Sequence, residues 1–436
     1  MITPRLSRAL APSLLAIFAS AQTPHQPPGK TPQKLTSIHV SGTQRYTQEE
    51  IIAATGLKIG APATEDDFQK VTHDLGETGL FTDISFSYAH APAGTKLDLE
   101  LTDNDKLIPA HFDNFVWFSD DALIAKIRES IPLFKGEVPL GGDLSDQVSD
   151  VLQAILLQHS LDARANYIRE NDSQDGPIRA VNFRATGLNI RIRKVSFPGA
   201  SGEEEPALLA AARNLQNAEY LRSDVALYVK SKLLPVYLQR GFLKAAFAQA
   251  QTKVAEEDRD AVQVDVALPV IPGPEYKVSN CTWQGNSAFP GSRLQSLVHL
   301  TPGQSANTVQ LKADLEEIHK LYGTRGYMTA QVKPDPTYDE STATVSYTFQ
   351  VNEGDLFHLG DLEFQGVDSK TADRLREAWS LRERDPYDSS YARRFVEGAW
   401  KLLPSNVGWT VSIHEAVNEN DKTVDLTVRY AMKPES

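Results

Sequence analysis

Few residues in this chain have the types and spacing that bond-making chemistry needs. A serine hydrolase would show G-x-S-x-G, a phosphate loop G-x-x-x-x-G-K-[ST], a dinucleotide fold G-x-G-x-x-G and a zinc protease H-E-x-x-H, and none of these occurs. The 10 histidines are scattered. His299 stands before Thr301-Pro302 and His319 lies in a helical pattern, neither with a second ligand at metal spacing. Glu203-Glu204-Glu205 and Glu256-Glu257-Asp258 read as solvated turns rather than acid/base pairs. Arg191, Arg193 and Lys194 read as a solvated basic strand face. The single cysteine, Cys281, excludes an intramolecular disulfide framework and any multi-cysteine metal centre. These residues point away from an enzyme: no catalytic, cofactor-binding or metal-binding set is expected, and no small-molecule substrate. The remaining chemistry is that of the backbone, where unpaired N–H and C=O groups along a sheet edge can accept another chain as an added strand.

The elements that would build such edges recur along the chain. A small residue followed by an apolar one, placed after a helical pattern and before a strand pattern, occurs at Gly79-Leu80, Gly241-Phe242, Gly326-Tyr327 and Gly408-Trp409. The separations are 162, 85 and 82 residues, so a copy is missing near residue 160, where Ser160-Leu161 stands in the same context. A second marker has the same period. Strand-like segments end in a turn residue at Gly42, Gly199, Gly285 and Gly366, and Phe112-Asp113-Asn114 fills the doubled gap on the expectation that Asn114 takes the left-handed conformation.

Two markers in fixed phase predict five units, each in the order strand, helix, helix, strand, strand. In the first, Thr47 with Glu50 and Thr64 with Asp67 have the capping-box form, Gly56 closes the first helix, and Phe68, Val71 and Leu75 make the apolar face of the second. In the fourth, Leu311, Leu315, Ile318 and Tyr322 form a helical stripe, Tyr327 to Lys333 reads as a strand that Pro334 stops, and Val345 to Val351 as its partner. The fifth has Pro386 as helix opener and Tyr391, Phe395 and Leu402 as its stripe. The fold class is α+β, two helices on one face of a small sheet, repeated as an elongated rod. The expected boundaries are 35–104, 105–187 (divergent), 188–272, 273–354 and 355–436.

Composition and the N-terminus bound the setting. Lys plus Arg is 44 against 57 Asp plus Glu, a net charge of −13, which makes nucleic acid a poor partner. Arg5 and Arg8 precede an apolar run, Ala9 to Phe18, and Ala19-Ser20-Ala21 has the form of a signal-peptidase site. Residues 1–21 therefore read as an export signal and 22–34, with four prolines, as an extended tether.

The units resemble POTRA domains, the β-α-α-β-β modules of the outer-membrane barrel-assembly superfamily. The Gly-aromatic pairs Gly241-Phe242 and Gly326-Tyr327 carry the resemblance, together with the junctions Ile271-Pro-Gly-Pro-Glu-Tyr276-Lys-Val278 and Asn352-Glu-Gly-Asp-Leu-Phe357-His-Leu359. It covers residues 35 to 433. In that superfamily a transmembrane barrel follows the last module, whereas Tyr430 to Ser436 follows the fifth module directly here, so the arm is expected to act either free or docked to a separate barrel. The resemblance implies a periplasmic arm whose partners are unfolded outer-membrane proteins or barrel-assembly subunits, with peripheral association to the outer membrane as a further option. It also implies that the strand after the Gly-aromatic pair is the receptive edge: Ile84 to Tyr88, Leu243 to Phe247, Tyr327 to Lys333 or Trp409 to His414. The fourth unit is the first choice, with Tyr327, Thr329, Gln331 and Lys333 as the peptide-binding edge. The alternative is a structural spacer of the cell envelope with no capture activity.

Overall fold

The computed structural model describes residues 32–171, 173, 176–404 and 407–432; the expected signal segment and most of the tether lie outside them. The chain divides into two compact bodies. One holds the described residues up to His111 with 120–158 and 165–183, the other 112–119, 159–164 and the rest from Arg184.

Among the described residues the same order of elements runs through five sheets of three or four strands. The first module has β1 (Gln33–Ser41), α1 (Gln48–Thr55), β2 (Pro62–Ala63), α2 (Glu65–Glu77), β3 (Phe81–Ala91) and β4 (Gly94–Asp103). The second has β5 (Leu107–Phe112), α3 (Asp120–Arg128), β6 (Glu137–Pro139), α4 (Leu144–Gln158), β7 (Arg164–Asn171) and β8 (Ile178–Thr186). The third has β9 (Asn189–Ser196), α5 (Glu205–Ala211), α6 (Arg222–Tyr228), α7 (Leu234–Leu238), β10 (Ala246–Phe247), β11 (Gln251–Glu257), β12 (Ala261–Ala267) and β13 (Val270–Ile271). A π-helical turn, Val229–Leu233, joins α6 to α7 and widens the helix just before Pro235, whose ring would crowd a regular turn. The fourth has β14 (Lys277–Gln284), α8 (Gly291–Gln295), α9 (Thr308–Gly323), β15 (Gln331–Asp339) and β16 (Thr344–Asn352). The fifth has β17 (His358–Gln365), α10 (Ser369–Ala378), α11 (Tyr391–Ala399), β18 (Trp409–Asn418) and β19 (Thr423–Met432).

In four of the five sheets the first strand pairs parallel with the last, and the last pairs antiparallel with the strand before it. The helices are the crossover that a parallel pair requires. Both capping boxes of the first module are formed, and Gly56 closes α1 in the left-handed conformation. Phe68, Val71 and Leu75 are buried, as are Leu311, Ile318 and Tyr322 in the fourth module. The fifth-module stripe differs: Tyr391, Phe395 and Leu402 are only half-buried against a core built on Trp379, Leu375 and Val428. Pro386 opens no helix there; it bridges to His358 ahead of α11.

The period-setting glycines have a steric reason. Gly285 has φ +80°, and an added Cβ would run into the carbonyl of Val351 at the end of the same sheet; Gly366 stands in the same relation to Tyr430. Gly326, at φ +84°, faces forward instead, its hypothetical Cβ 2.6 Å from the Phe357 carbonyl of the next module. The Phe357 N–H donates to the Gly326 carbonyl at 2.8 Å, and Tyr276 donates to Gly241 in the same way. Ser160 takes the left-handed conformation without a glycine, at φ 59°. Asn114 does not. Its amide side chain instead donates to and accepts from the backbone of Ala185, at 2.9 and 2.8 Å.

Candidate peptide-binding edges

A strand can accept a new chain only if one side of it has no neighbour. β3, β7, β11, β15 and β18 each lie at the end of their sheets, which places them on the free side after the turn at the end of the helices. The edge residues expected in the fourth module are split by the structure. Gln331 and Lys333 lie on β15, whereas Tyr327 and Thr329 lie in the turn that precedes it. In that turn Met328 donates to Gly326 and Ala330 to Tyr327, at 3.1 and 3.3 Å. The expected segment Leu243 to Phe247 is displaced in the same way. Leu243 donates to Gly241 and Ala245 to Phe242, β10 pairs with β13 in a separate two-stranded sheet, and the edge strand of the module's three-stranded sheet is β11. Ile84 to Tyr88 and Trp409 to His414 do lie on edge strands, β3 and β18.

Pro334 does not stop the ladder. β15 pairs with β16 without a register break from Gln331 opposite Asn352 to Asp339 opposite Thr344, passing through Pro334 and Pro336. Proline has no N–H, so an antiparallel ladder can run through it only where the residue's polar groups face away from the partner strand. Pro334 and Pro336 therefore mark the outward-facing set of β15, which is Val332, Pro334, Pro336 and Tyr338. Their partners Val351, Phe349, Tyr347 and Val345 are the buried residues of β16. Gln331, Lys333, Asp335 and Thr337 then turn their N–H groups toward β16.

The same rule carries to β18. For L-residues the side to which N–H points is set once strand direction and side-chain face are set, and both are shared by the two sheets. Val411, Ile413, Glu415 and Val417 lie opposite the buried Tyr430, Val428, Leu426 and Val424, so their N–H groups face outward. The hydroxyl of Thr410 reaches the Ala431 carbonyl at 3.2 Å, as an inward-bonded pair allows. All ten residues of β18 pair without a bulge. By contrast β11 and β3 carry register breaks, between Val254 and Glu256 and between Phe81 and Asp83.

Tyrosine–carboxylate braces tie the edge strands and their hairpins to the module cores. The Tyr276 hydroxyl donates to Glu340 at 2.6 Å, and Lys244 pairs with the same carboxylate from the preceding module. The Lys244 and Tyr276 hydrogen bonds hold the Glu340 carboxyl below its ordinary range. In the fifth module Tyr387 donates to Glu415, on β18 itself, at 2.6 Å; burial, with that hydrogen bond second, pushes its phenol well above the ordinary value.

The other residues singled out by type have structural partners. His299 Nδ1 lies 2.7 Å from the buried carboxylate of Asp314, and His319 Nδ1 2.9 Å from the Ala330 carbonyl. Arg193 donates twice to Asp265, at 2.8 and 2.6 Å, Arg191 donates to the Asn217 carbonyl, and Arg240 pairs with Glu203 and Glu204. Burial pushes the Cys281 thiol up.

Residues 276–354 match the family described as POTRA, surface antigen variable number repeat. The chain is 22% identical over 419 residues to the outer membrane protein assembly factor BamA of Buchnera aphidicola subsp. Acyrthosiphon pisum, covering 92% of this chain and 64% of that protein. It is 24% identical over 384 residues to BamA of Neisseria meningitidis serogroup B, covering 83% and 46%. The chain thus spans less than two thirds of the length of these relatives. Among solved structures it is similar to Haemophilus influenzae BamA POTRA3-5, with TM-score 0.41, 19% identity and coverage of 56% of this chain and 95% of that one. It is also similar to the N-terminal domain of Omp85 from Thermosynechococcus elongatus, with TM-score 0.24, 15% identity and coverage of 56% and 98%. The matched residues have the parallel-plus-hairpin sheet, and the same strand order recurs in the modules beside them: the chain carries a POTRA domain at residues 276–354.

Proposed function

We propose that this chain is a non-catalytic periplasmic arm in outer-membrane protein assembly, which holds extended segments of client proteins by adding them as strands to its free sheet edges. The supporting observation is that, among the described residues, each module's sheet ends in a strand with no neighbour on one side, while helices cover one face of the sheet. Main-chain hydrogen bonds would supply the affinity and side chains at alternate positions a mild selectivity. On this reading the clients are unfolded outer-membrane proteins or assembly subunits, and the modules stand in a row that works with a separate barrel. Residues 1–21 direct export and are removed, and no cofactor or small molecule is needed.

The test is binding of labelled extended peptides, taken from barrel strands, to the exported form of the chain, followed by anisotropy. Saturable binding that peptides of the same alternation compete away is the expected result. No binding by any such peptide would favour the spacer function. Small-angle scattering from a single compact globule would count against the row of modules, and material from the periplasm that begins at Met1 would count against export by cleavage.

A further inference from the structure

The two prolines of β15 remove half of the outward donors that an incoming strand would use. Val332 and Tyr338 keep theirs, Pro334 and Pro336 have none, and no two neighbouring outward positions on β15 both retain an N–H. Charged side chains flank the prolines at Lys333, Asp335 and Asp339, all exposed. Prolines and charges are the means by which natural edges are kept from pairing. On β18 the situation is reversed. Val411, Ile413, Glu415 and Val417 are four consecutive outward donors, and the strand has no proline. Its exposed residues, Thr410, Ser412, Ile413, His414, Ala416 and Val417, include no carboxylate, lysine or arginine. The one carboxylate on the strand, Glu415, is held back by Tyr387.

We infer that Pro334 and Pro336 close the edge of the fourth module to strand addition, and that the neighbouring β18 receives an extended segment with apolar residues at every second position. The inference rests on the capture function proposed above and assigns it to one edge. The occupant's chemistry follows from the strand face. Ile413 and Val417 are 36% and 43% exposed on the helix-bearing side, beyond the reach of α11, while Trp409 at the start of the strand is buried. A strand laid beside them would place alternate residues against Val411, Ile413 and Val417, and apolar ones there would cover surface that is now wet. Membrane-barrel strands have that alternation. With Glu415 tied to Tyr387, the exposed side chains of the edge bring no lysine, arginine or carboxylate against a client.

Hydrogen exchange read by mass spectrometry on the full exported chain separates the possibilities. The probe is a synthetic peptide with valine and threonine alternating and lysines at both ends. With the peptide at about ten times its dissociation constant, exchange over 409–418 should slow about tenfold, and exchange over 331–339 should not change. Pro334→Val with Pro336→Val should create protection over 331–339 that the parent lacks. Ile413→Pro should weaken binding about fivefold, the effect of one lost backbone hydrogen bond. Protection of 331–339 in the parent, or failure of the double variant to gain it, overturns the closed edge. Protection confined to the segments of β3 or β11 overturns the assignment to β18 and leaves strand capture standing. If the peptide protects no edge in the chain, strand capture itself fails.

Discussion

The fourth and fifth modules have the same sheet order, the same parallel and antiparallel pairings and the same turn glycine, yet their edge strands differ in nearly every property that governs association. β15 carries two outward prolines and alternating charge; β18 carries neither. The helices differ as well. α9 has 16 residues and buries Leu311, Ile318 and Tyr322 beneath it, whereas α11 has 9 and leaves the far half of β18 uncovered. The fold sets where an edge lies. Whether the edge accepts a partner depends on which residues occupy its outward positions, which pack only partly against the core and so tolerate more variety than the buried positions of the central strand.

The largest effect should be common to the two modules. Gly285→Val and Gly366→Val each force a β-branched residue into positive φ and drive its Cβ into the carbonyl of the last strand. Each should lower stability by about 3 kcal/mol, combining left-handed strain with a backbone clash. Urea unfolding followed by tryptophan fluorescence would measure it. If the loss were confined to one module, the shared architecture of the two would be in question.

The next effect separates the two sides of one strand. Ser412 turns its N–H toward β19, so Ser412→Pro removes a ladder bond and should cost about 2 to 3 kcal/mol. Ile413→Pro should cost less than about 1 kcal/mol beyond its lost side-chain contacts, because no ladder donor is lost. Lys333→Pro should resemble Ser412→Pro, since Lys333 faces β16. Equal losses for Ser412→Pro and Ile413→Pro in chemical denaturation would refute the outward assignment. A smaller consequence follows for solubility. Pro334→Val with Pro336→Val restores two free donors to β15 and should increase self-association with little change in the urea midpoint, as sedimentation velocity over a concentration series would show.

Much of this architecture is legible in the residues themselves. Glycine after a helix and glycine after a strand recur at one period because each is sterically required, one against the next module and one against its own sheet. The two capping boxes and the buried stripe Phe68, Val71 and Leu75 need only local rules. Residue patterning places the third and fourth edges too early, for a shared reason. A tight turn with two backbone hydrogen bonds, Leu243 to Gly241 with Ala245 to Phe242, and Met328 to Gly326 with Ala330 to Tyr327, follows the Gly-aromatic pair and delays the strand. That turn contains no second glycine to announce it. Pro334 reads as a terminator in the sequence because proline breaks ladders, and only the pairing partners reveal that its position needs no donor. Asn114 suits a left-handed turn by type, but tertiary partners on Ala185 take its side chain instead.

The smallest expected effect concerns how the fourth module's hairpin is held. Glu340 lies between Lys244 of the third module and the hydroxyl of Tyr276, and these hydrogen bonds keep its carboxyl below the ordinary range. A group whose folded-state value is depressed stabilises the fold above its unfolded value, about pH 4.3, and loses that contribution as pH falls through the folded value. The brace should therefore be intact at neutral pH and weaken only in acid. Glu340 is largely exposed, so solvent screens the pair and the effect on global stability is small. Local opening is the sensitive readout. Amide exchange in the hairpin around residues 339–344 should accelerate in Glu340→Gln relative to the parent at about pH 7, after correction for intrinsic rates, and the difference should shrink as pH drops below about 4. The fifth-module hairpin, whose tyrosine anchors Glu415 within β18 rather than at the hairpin tip, should show no such change in the same variant. A difference between parent and variant that persisted undiminished in acid would mean that Glu340 acts by packing and not by charge.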